Sequence, residues 1–317
     1  MTGAMAWRGV GRVETVTVIG AGLIGAGWIA ALLARGFAVR VHDPAPDAPD
    51  KVRAHVSRVP SAAAALETAK SDRSPSLTFH AELADAVAGA DFVQENTPER
   101  PETKSGLFAA LDAILPPDVI VASSTSSLPI TDLAAGCESG ARFVLGHPFN
   151  PVHLMPLVEL GGGARTDPAA IDAAEALYLS MGKRPVRVRR EIFGHIANRL
   201  TSAMFREAVS LVANGVATVQ DVDDAIRWGP ALKWAIQGQF TTFHTSGGDR
   251  GLAGFLEHFG PGIVKRWDSM TTPDLTDPAL QARLIEQFDA AHPGETAAEI
   301  AGRQDEMLGI LIKAMLS

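Results

Sequence analysis

The chain has 317 residues, enough for one large or two medium domains with a sizeable core. Hydrophobic residues make up 46%, charged residues 20%, and the formal net charge of −8 argues against nucleic acid or an anionic membrane as partner. The lone Cys137 excludes an internal disulfide and points to a cytoplasmic protein, no apolar run approaches the ~18 residues of a membrane span, and "MTGAMAWRGVGR" lacks the apolar core of a signal peptide.

Short β-rich runs alternate with helical patterns over the first 190 residues. Strands are expected at Val16–Gly20, Ala38–Asp43, Leu77–His80, Asp91–Glu95, Val119–Ser123, Arg142–Gly146, Leu157–Gly161 and Pro185–Arg189. Pro44–Pro75, rich in alanine, proline and charge, reads as surface helix and loop. In "TDPAAIDAAEALYLSMG", Thr166 or Asp167 caps a helix, Pro168 sits in its first turn and Gly182 closes it. From residue 191 strand signal fades, and helices are expected at Phe193–Ala213, Asp221–Arg227, Gln281–Ala291 and Glu295–Leu316. The expected class is α/β: a Rossmann-type, doubly wound, mainly parallel sheet over 1–190, then an all-helical domain over 191–317.

Gly20, Gly22 and Gly25 form G-x-G-x-x-G between the first strand and an apolar helix, with Leu23 and Ile24 inside the pattern. The three glycines serve, in order, a tight turn, close approach of backbone to a pyrophosphate, and close helix–strand packing. The free N–H groups of the helix start favour an anion. Asp43, 18 residues after Gly25, ends the second strand, where a carboxylate accepts from ribose hydroxyls and repels a 2′-phosphate. Arg40 precedes it by three and is expected to point elsewhere, so NAD is favoured over NADP, with FAD using the same fingerprint.

Three polar segments follow: "VASSTSSLPI" after a strand, "GHPFNPVHLMPLVEL" and "GHIANRLTSA". His147 and Glu159, twelve residues apart on consecutive expected strands, suit an imidazole whose tautomer is fixed by a carboxylate. Asn198 falls near the domain boundary, where clefts commonly lie. Each also has a plain reading as a turn, cap or packed residue.

Together, "GAGLIGAG", "ENTPERPETKSGLF", "SSTSSL", "GHPFNPVHLMPLVEL" and "IANRL" resemble the 3-hydroxyacyl-CoA dehydrogenase superfamily in order and spacing, over about Val13–Phe259. The resemblance implies His147 as catalytic base, Glu159 as its partner, and Ser126 and Asn198 on the substrate oxygen. It also implies contacts to NAD from Asp43, Glu99, Lys104, Ser126 and Asn150; no metal is implied. Two departures stand out: Ser124 replaces the asparagine of "SNTSSL", and "FGH" with His195 replaces "PGF".

Fatty acyl-CoA members have a lysine-rich arm after the second strand, whereas Pro44–Pro75 holds five basic and four acidic residues, a poor clamp for CoA. "RWGPALKWAIQGQFTTFHTSGGDRGLAGFLEHFGPGIVKRW" resembles the small-substrate branch that includes carnitine 3-dehydrogenase and the gulonate dehydrogenase related to lambda-crystallin, and its "KWAIQGQFTTFHTSGGDRGLAGFLEHFGP" part is more similar to the former. Trp228, Trp234, Phe240, Phe243, Phe255, Phe259 and Trp267 put seven aromatics in 40 residues, as an aromatic cage for a quaternary ammonium or as helical core and interface. Arg199, Arg227, Lys233 and Arg250 are candidate partners for a substrate carboxylate. The expected activity is NAD-dependent oxidation of a small 3-hydroxy acid, L-carnitine first, with L-gulonate or a 3-hydroxyacyl-CoA as rivals. The rival of another class is a non-catalytic, crystallin-like NAD-binding protein. The helical domain is expected, by resemblance, to pair two subunits as a homodimer.

Overall fold

The computed structural model describes residues 7–61 and 75–316. Strands β1 (Thr15–Ile19), β2 (Ala38–His42), β3 (Ser76–His80), β4 (Phe92–Glu95), β5 (Ile120–Ser123), β6 (Phe143–Pro148), β7 (Leu157–Gly162) and β8 (Arg184–Arg187) form one sheet in the order 3-2-1-4-5-6-7-8. Every neighbouring pair is parallel except β6–β7. The chain winds from β1 to one side, then crosses to β4 on the other. The carboxyl ends of β1 and β4 therefore border the switch point at which ligands of such sheets bind.

Strand side chains alternate between two cores. Val16, Val18, Val39 and Val41 pack under α1 (Leu23–Leu33) and α2 (Ala48–Ser57), while Ile19, Val93 and Val121 belong to the opposite face. That face is covered by α3 (Leu83–Val87), α4 (Pro101–Ile114) and α5 (Ile130–Leu133), with Phe108 stacked on Phe143 at 4.5 Å. Nearly all of α1 is buried, which explains why its sequence is apolar on every side. Helix α6 (Pro168–Ser180) starts as expected: Asp167 accepts from the Ala169 N–H at 2.9 Å, and Pro168 follows. Gly182 ends the turn with φ 77°, a conformation that favours glycine.

By its internal contacts the chain divides into two compact units after Asn198. The 191–197 stretch belongs to the first because Glu191, His195 and the Ile196 and Ala197 N–H groups are bonded into it. The second unit is helical: α7 (Ala197–Ala213), α8 (Val219–Trp228), α9 (Pro230–Thr245), α10 (Gly251–Ser269), α11 (Pro278–Ala291) and α12 (Ala297–Leu316). Helix α7 begins later than the expected Phe193, because Gly194 and His195 take positive φ values of 77° and 50° that no α-helix accommodates. Trp228 ends α8, and the rest of the aromatic segment lies on α9 and α10, the former kinked at Gly238. Phe243, half-buried, stacks on buried Phe255 at 4.4 Å, so these two build the helix-pair contact, whereas Phe259, 5.1 Å from Phe255, is 43% exposed. An apolar cavity of about 410 Å³ opens among α7, α8 and α11, lined by Met204, Phe205, Ile226 and Phe288. Among the described residues no helix is long and apolar enough to cross a membrane.

Candidate active site

The chain leaves β1 through Gly20, whose φ of 82° and position against Asn96 leave no room for a side chain: a Cβ there would lie 2.6 Å from the Asn96 carbonyl oxygen. A Cβ on Gly25 would overlap the Gly20 carbonyl, whereas one on Gly22 would meet nothing within 4 Å. The turn is thus tight on the protein side and open on the ligand side. Helix α1 starts at Gly22 with no side-chain cap, leaving its N–H groups to an anion. Asp43 follows β2 and accepts from the Ala21 N–H at 2.6 Å and the Ala45 N–H at 2.8 Å, tying its carboxylate to the glycine turn. Arg40 does point elsewhere, donating to the carbonyls of Ala86 and Asp85. Leu23 opens α1 and is 65% exposed, an apolar rim on the turn. These features fit a dinucleotide carrying no 2′-phosphate.

At the carboxyl ends of the strands lies a cleft of about 340 Å³, lined by Ile24, Glu99, Ser126 and His147 together with Asn96, Thr97, Ser124 and Pro148. β6 and β7 place His147 directly opposite Glu159. His147 Nδ1 lies 2.8 Å from Glu159 Oε2. Glu159 is 1% exposed, and its other oxygen accepts from the Ile196 and Ala197 N–H groups at 2.7 and 2.8 Å. Burial alone would push this carboxyl up, but His147 and the two N–H groups outweigh it and hold it below the usual range. Asn198 is the next residue along, in the first turn of α7. Asn150 is exposed in the turn after β6.

Ser126 sits in the loop after β5, which Glu99 organises: Glu99 Oε1 accepts from the Ser126 and Ser127 N–H groups at 2.8 and 2.9 Å and from the Thr125 hydroxyl at 2.7 Å. Its carboxyl is also low, because the Thr125 hydroxyl, the Lys104 charge and Ser127 overcome the upward push of burial. Lys104 is placed differently from a surface contact. It is 1% exposed, its ammonium 2.8 Å from Glu95 Oε1 and 3.6 Å from Glu99 Oε2. Glu95, fully buried, also accepts from Ser123 and from Thr97 at 2.5–2.6 Å.

Ser124, the departure from "SNTSSL", is the hub of a second buried network. Its hydroxyl accepts from Trp28 Nε1 at 3.1 Å and Gln94 Nε2 at 3.0 Å, and donates to Asn96 Oδ1 at 2.7 Å. Tyr178 in turn donates to Gln94 at 2.7 Å. Lys183, buried beside the β6–β7 turn, donates to the carbonyls of Val152 and Met155 and lies 5.3 Å from the Trp28 ring. Burial and then Arg35 lower its ammonium to about 8. Sequence reasoning did not single out Glu95, Gln94, Asn96, Trp28, Tyr178 or Lys183. Their roles depend on strand adjacency, and only the position of Glu95 inside "ENTPERPETKSGLF" offered a signal.

In the second unit, Arg250 is paired with Glu257 at 2.5 Å and Arg227 lies over the Trp228 ring at 4.9 Å, so both of these candidate cations have local partners.

A carboxylate-bound imidazole facing a cleft beside an open glycine turn is the equipment of an NAD-dependent dehydrogenase acting on an alcohol carbon. The chain belongs to the 3-hydroxyacyl-CoA dehydrogenase family: that family's NAD-binding domain matches residues 15–192 and its C-terminal domain matches residues 194–277. It is 43% identical over 293 residues to an L-carnitine dehydrogenase of Streptomyces griseus, covering 92% of this chain and 87% of that one. The L-carnitine dehydrogenase of Burkholderia mallei is 44% identical over 304 residues, covering 96% and 94%. Among solved structures, 5-formyl-3-hydroxy-2-methylpyridine 4-carboxylic acid 5-dehydrogenase, an NAD-dependent dismutase, superposes with a TM-score of 0.78 at 29% identity, covering 95% and 97%. The (S)-3-hydroxybutyryl-CoA dehydrogenase of Ralstonia eutropha gives 0.61 at 29%, covering 78% and 87%.

Proposed function

We propose that this enzyme oxidises the 3-hydroxyl of L-carnitine to 3-dehydrocarnitine with NAD. The observation that carries the chemistry is the buried His147–Glu159 pair opening on the same cleft as Ser126 and the glycine-turn residue Ile24. Glu159 on Nδ1 directs His147 Nε2 at the substrate hydroxyl, where it takes the proton during oxidation and returns it during reduction. Ser126 and Asn198 hydrogen-bond the reacting oxygen and hold its carbon in place. The nicotinamide, when bound, accepts the hydride. Glu99 fixes the loop that carries Ser126, and Lys104, buried against Glu95, acts through Glu99. Asp43 takes the adenosine ribose, and Asn150 borders the nicotinamide half.

The similarity to L-carnitine dehydrogenases over more than nine-tenths of the chain supports this substrate. The region after β2 gives no support to CoA. Lys51 pairs with Asp47 at 2.7 Å, Arg53 lies over Phe79 at 4.9 Å, and Arg58 donates to Ala54; residues 62–74 of that arm lie outside the described residues. With Phe243 and Phe255 stacked on each other and Trp228 faced by Arg227, we assign any cation-binding aromatic surface to Trp234, Phe240, Phe259 and Trp267. We further propose a homodimer through the helical unit, since Phe205, Ile236, Phe240 and Trp267 are exposed there at 54%, 80%, 79% and 64%. The cytosol is the compartment we assign it, from its lone buried Cys137.

The test is NAD reduction with L-carnitine, L-gulonate, 3-hydroxybutyrate and 3-hydroxybutyryl-CoA. We expect turnover with L-carnitine above the others; activity on the CoA ester alone refutes the substrate, and activity on none favours a non-catalytic NAD-binding protein. His147→Ala is expected to abolish turnover and keep NADH binding; retained turnover removes His147 as base.

A further inference from the structure

His195 is 4% exposed and sits against the proposed base: its ring centroid is 5.3 Å from that of His147. It does not line the cleft that Ser126 and His147 line. Its Nε2 is 2.9 Å from the Thr125 carbonyl oxygen. A carbonyl only accepts, so Nε2 carries the proton and, in the neutral ring, Nδ1 is bare. Nδ1 is buried with no hydrogen-bond partner, which agrees with a ring kept neutral by burial, the low dielectric opposing a second proton.

The backbone at this residue is equally specific. His195 has a φ of 50°, the one non-glycine residue in the left-handed region among the described residues, and Gly194 before it has 77°. This double turn lets the two following N–H groups, of Ile196 and Ala197, converge on Glu159 Oε1, in the manner of an anion-binding nest. The far end of the same segment is also fastened, with Glu191 accepting from the Thr131 N–H at 3.0 Å. Side chain and backbone of one residue therefore meet two different parts of the site. The imidazole grips the residue next to Ser126, and the backbone aims N–H groups at the carboxylate that orients His147.

We infer that His195 is a positioning residue: by donating Nε2–H to the Thr125 carbonyl it fixes Ser126 relative to the His147–Glu159 pair. The inference rests on the dehydrogenase reading above. A phenyl ring at 195 fills comparable space but leaves the Thr125 carbonyl without this donor. The expected consequence is a shift of Ser126 and a loss in the chemical step, since a displacement of about 1 Å costs on the order of a hundredfold.

His195→Phe and His195→Gln separate this role from packing, because the glutamine amide reaches to about the position of Nε2 and restores a donor. With the hydroxy acid that the unaltered enzyme oxidises, His195→Phe is expected to lower kcat roughly a hundredfold, with NADH affinity and the KM for NAD within about twofold. His195→Gln is expected to recover at least about tenfold of that loss. A His195→Phe enzyme within about threefold of the unaltered kcat, or a His195→Gln enzyme no better than it, overturns the inference while leaving the proposed function intact. Should His195→Phe fail to bind NADH or to melt cooperatively, His195→Gln against the shorter His195→Asn decides: glutamine is expected to be about tenfold faster, and equal rates overturn the inference. An unaltered enzyme that oxidises none of the hydroxy acids defeats the proposed function and this inference with it.

Discussion

Glu159→Gln changes one oxygen to an amide nitrogen and leaves the volume untouched. Glu159 Oε1 faces two donors, the Ile196 and Ala197 N–H groups, and Oε2 faces His147 Nδ1. A glutamine there has one oxygen and one NH2 to distribute. Turning the oxygen to the two N–H groups keeps both hydrogen bonds, and the NH2 then points at Nδ1. Nδ1 must accept, so the ring proton moves to Nε2, the atom proposed to take the substrate proton. Restoring the reactive tautomer means rotating the amide and leaving two partly buried N–H groups facing an NH2. At about 1–3 kcal/mol for each unsatisfied donor, the cost is roughly 2–6 kcal/mol. Dividing by about 1.4 kcal/mol per tenfold, kcat is expected to fall between about thirtyfold and twenty-thousandfold, before counting the lost stabilisation of the imidazolium. The assay is steady-state NAD reduction with L-carnitine, alongside NADH binding by fluorescence, which should be unchanged. A variant within about threefold of the unaltered kcat would refute the tautomer argument.

Gly25→Ala should abolish NADH binding, because the added methyl overlaps the Gly20 carbonyl oxygen and no side-chain rotation relieves it; titration of NADH fluorescence reads the loss, and unchanged affinity contradicts the packing described. Asp43→Ser removes the carboxylate at the end of β2 and should raise the KM for NAD about ten- to a hundredfold while lifting the relative rate with NADP, measured as the ratio of the two kcat/KM values; an unaltered ratio removes Asp43 from cofactor choice. Acid stability follows from three depressed groups. His195 is held below its ordinary 6.5 by burial, with Thr125, His147, Glu159 and Glu99 around it, so its contribution is complete above pH 6.5 and is lost as pH falls through the lowered value. Glu159 and Glu99 are held below 4.5, so theirs is complete above pH 4.5 and is lost below it. Melting temperature should therefore decline in two stages on acidification, and His195→Gln should flatten the first; parallel curves for the two proteins count against a neutral buried His195.

The strands were legible because each is a short apolar run bounded by turn residues, and all eight expected strands lie within a residue or two of the observed ones. β6 runs beyond Gly146 to Pro148 because pairing with β7 continues through His147 and Val158. That extension sets the imidazole across from Glu159, and the twelve-residue spacing hinted at it without giving the register. Helix α7 was read too early because apolar Phe193 and Ile196 sit at helical spacing, and periodicity does not register that Gly194 and His195 turn left-handed between them. The same turn delivers two N–H groups to Glu159, so the local failure of the helical pattern coincides with a functional constraint.

What the sequence left dark is the floor of the cleft. Glu95, Ser123 and Lys104 meet because β4 and β5 are neighbours in the sheet and α4 follows β4, a relation no local spacing encodes. Taken alone, a buried lysine and glutamate carry a desolvation cost that their attraction only partly offsets, so the pair is weak evidence of stability. Its position gives it another meaning. Lys104 reaches Glu99 as well as Glu95, and Glu99 holds the N–H groups of Ser126 and Ser127. The Ser126 side of the cleft therefore rests on a charge buried at the carboxyl end of β4, as the proposed base His147 rests on Glu159. Fixed, paired charges under both Ser126 and His147 leave little reorganisation to the reaction itself, the condition under which oriented dipoles are most effective toward a developing oxyanion.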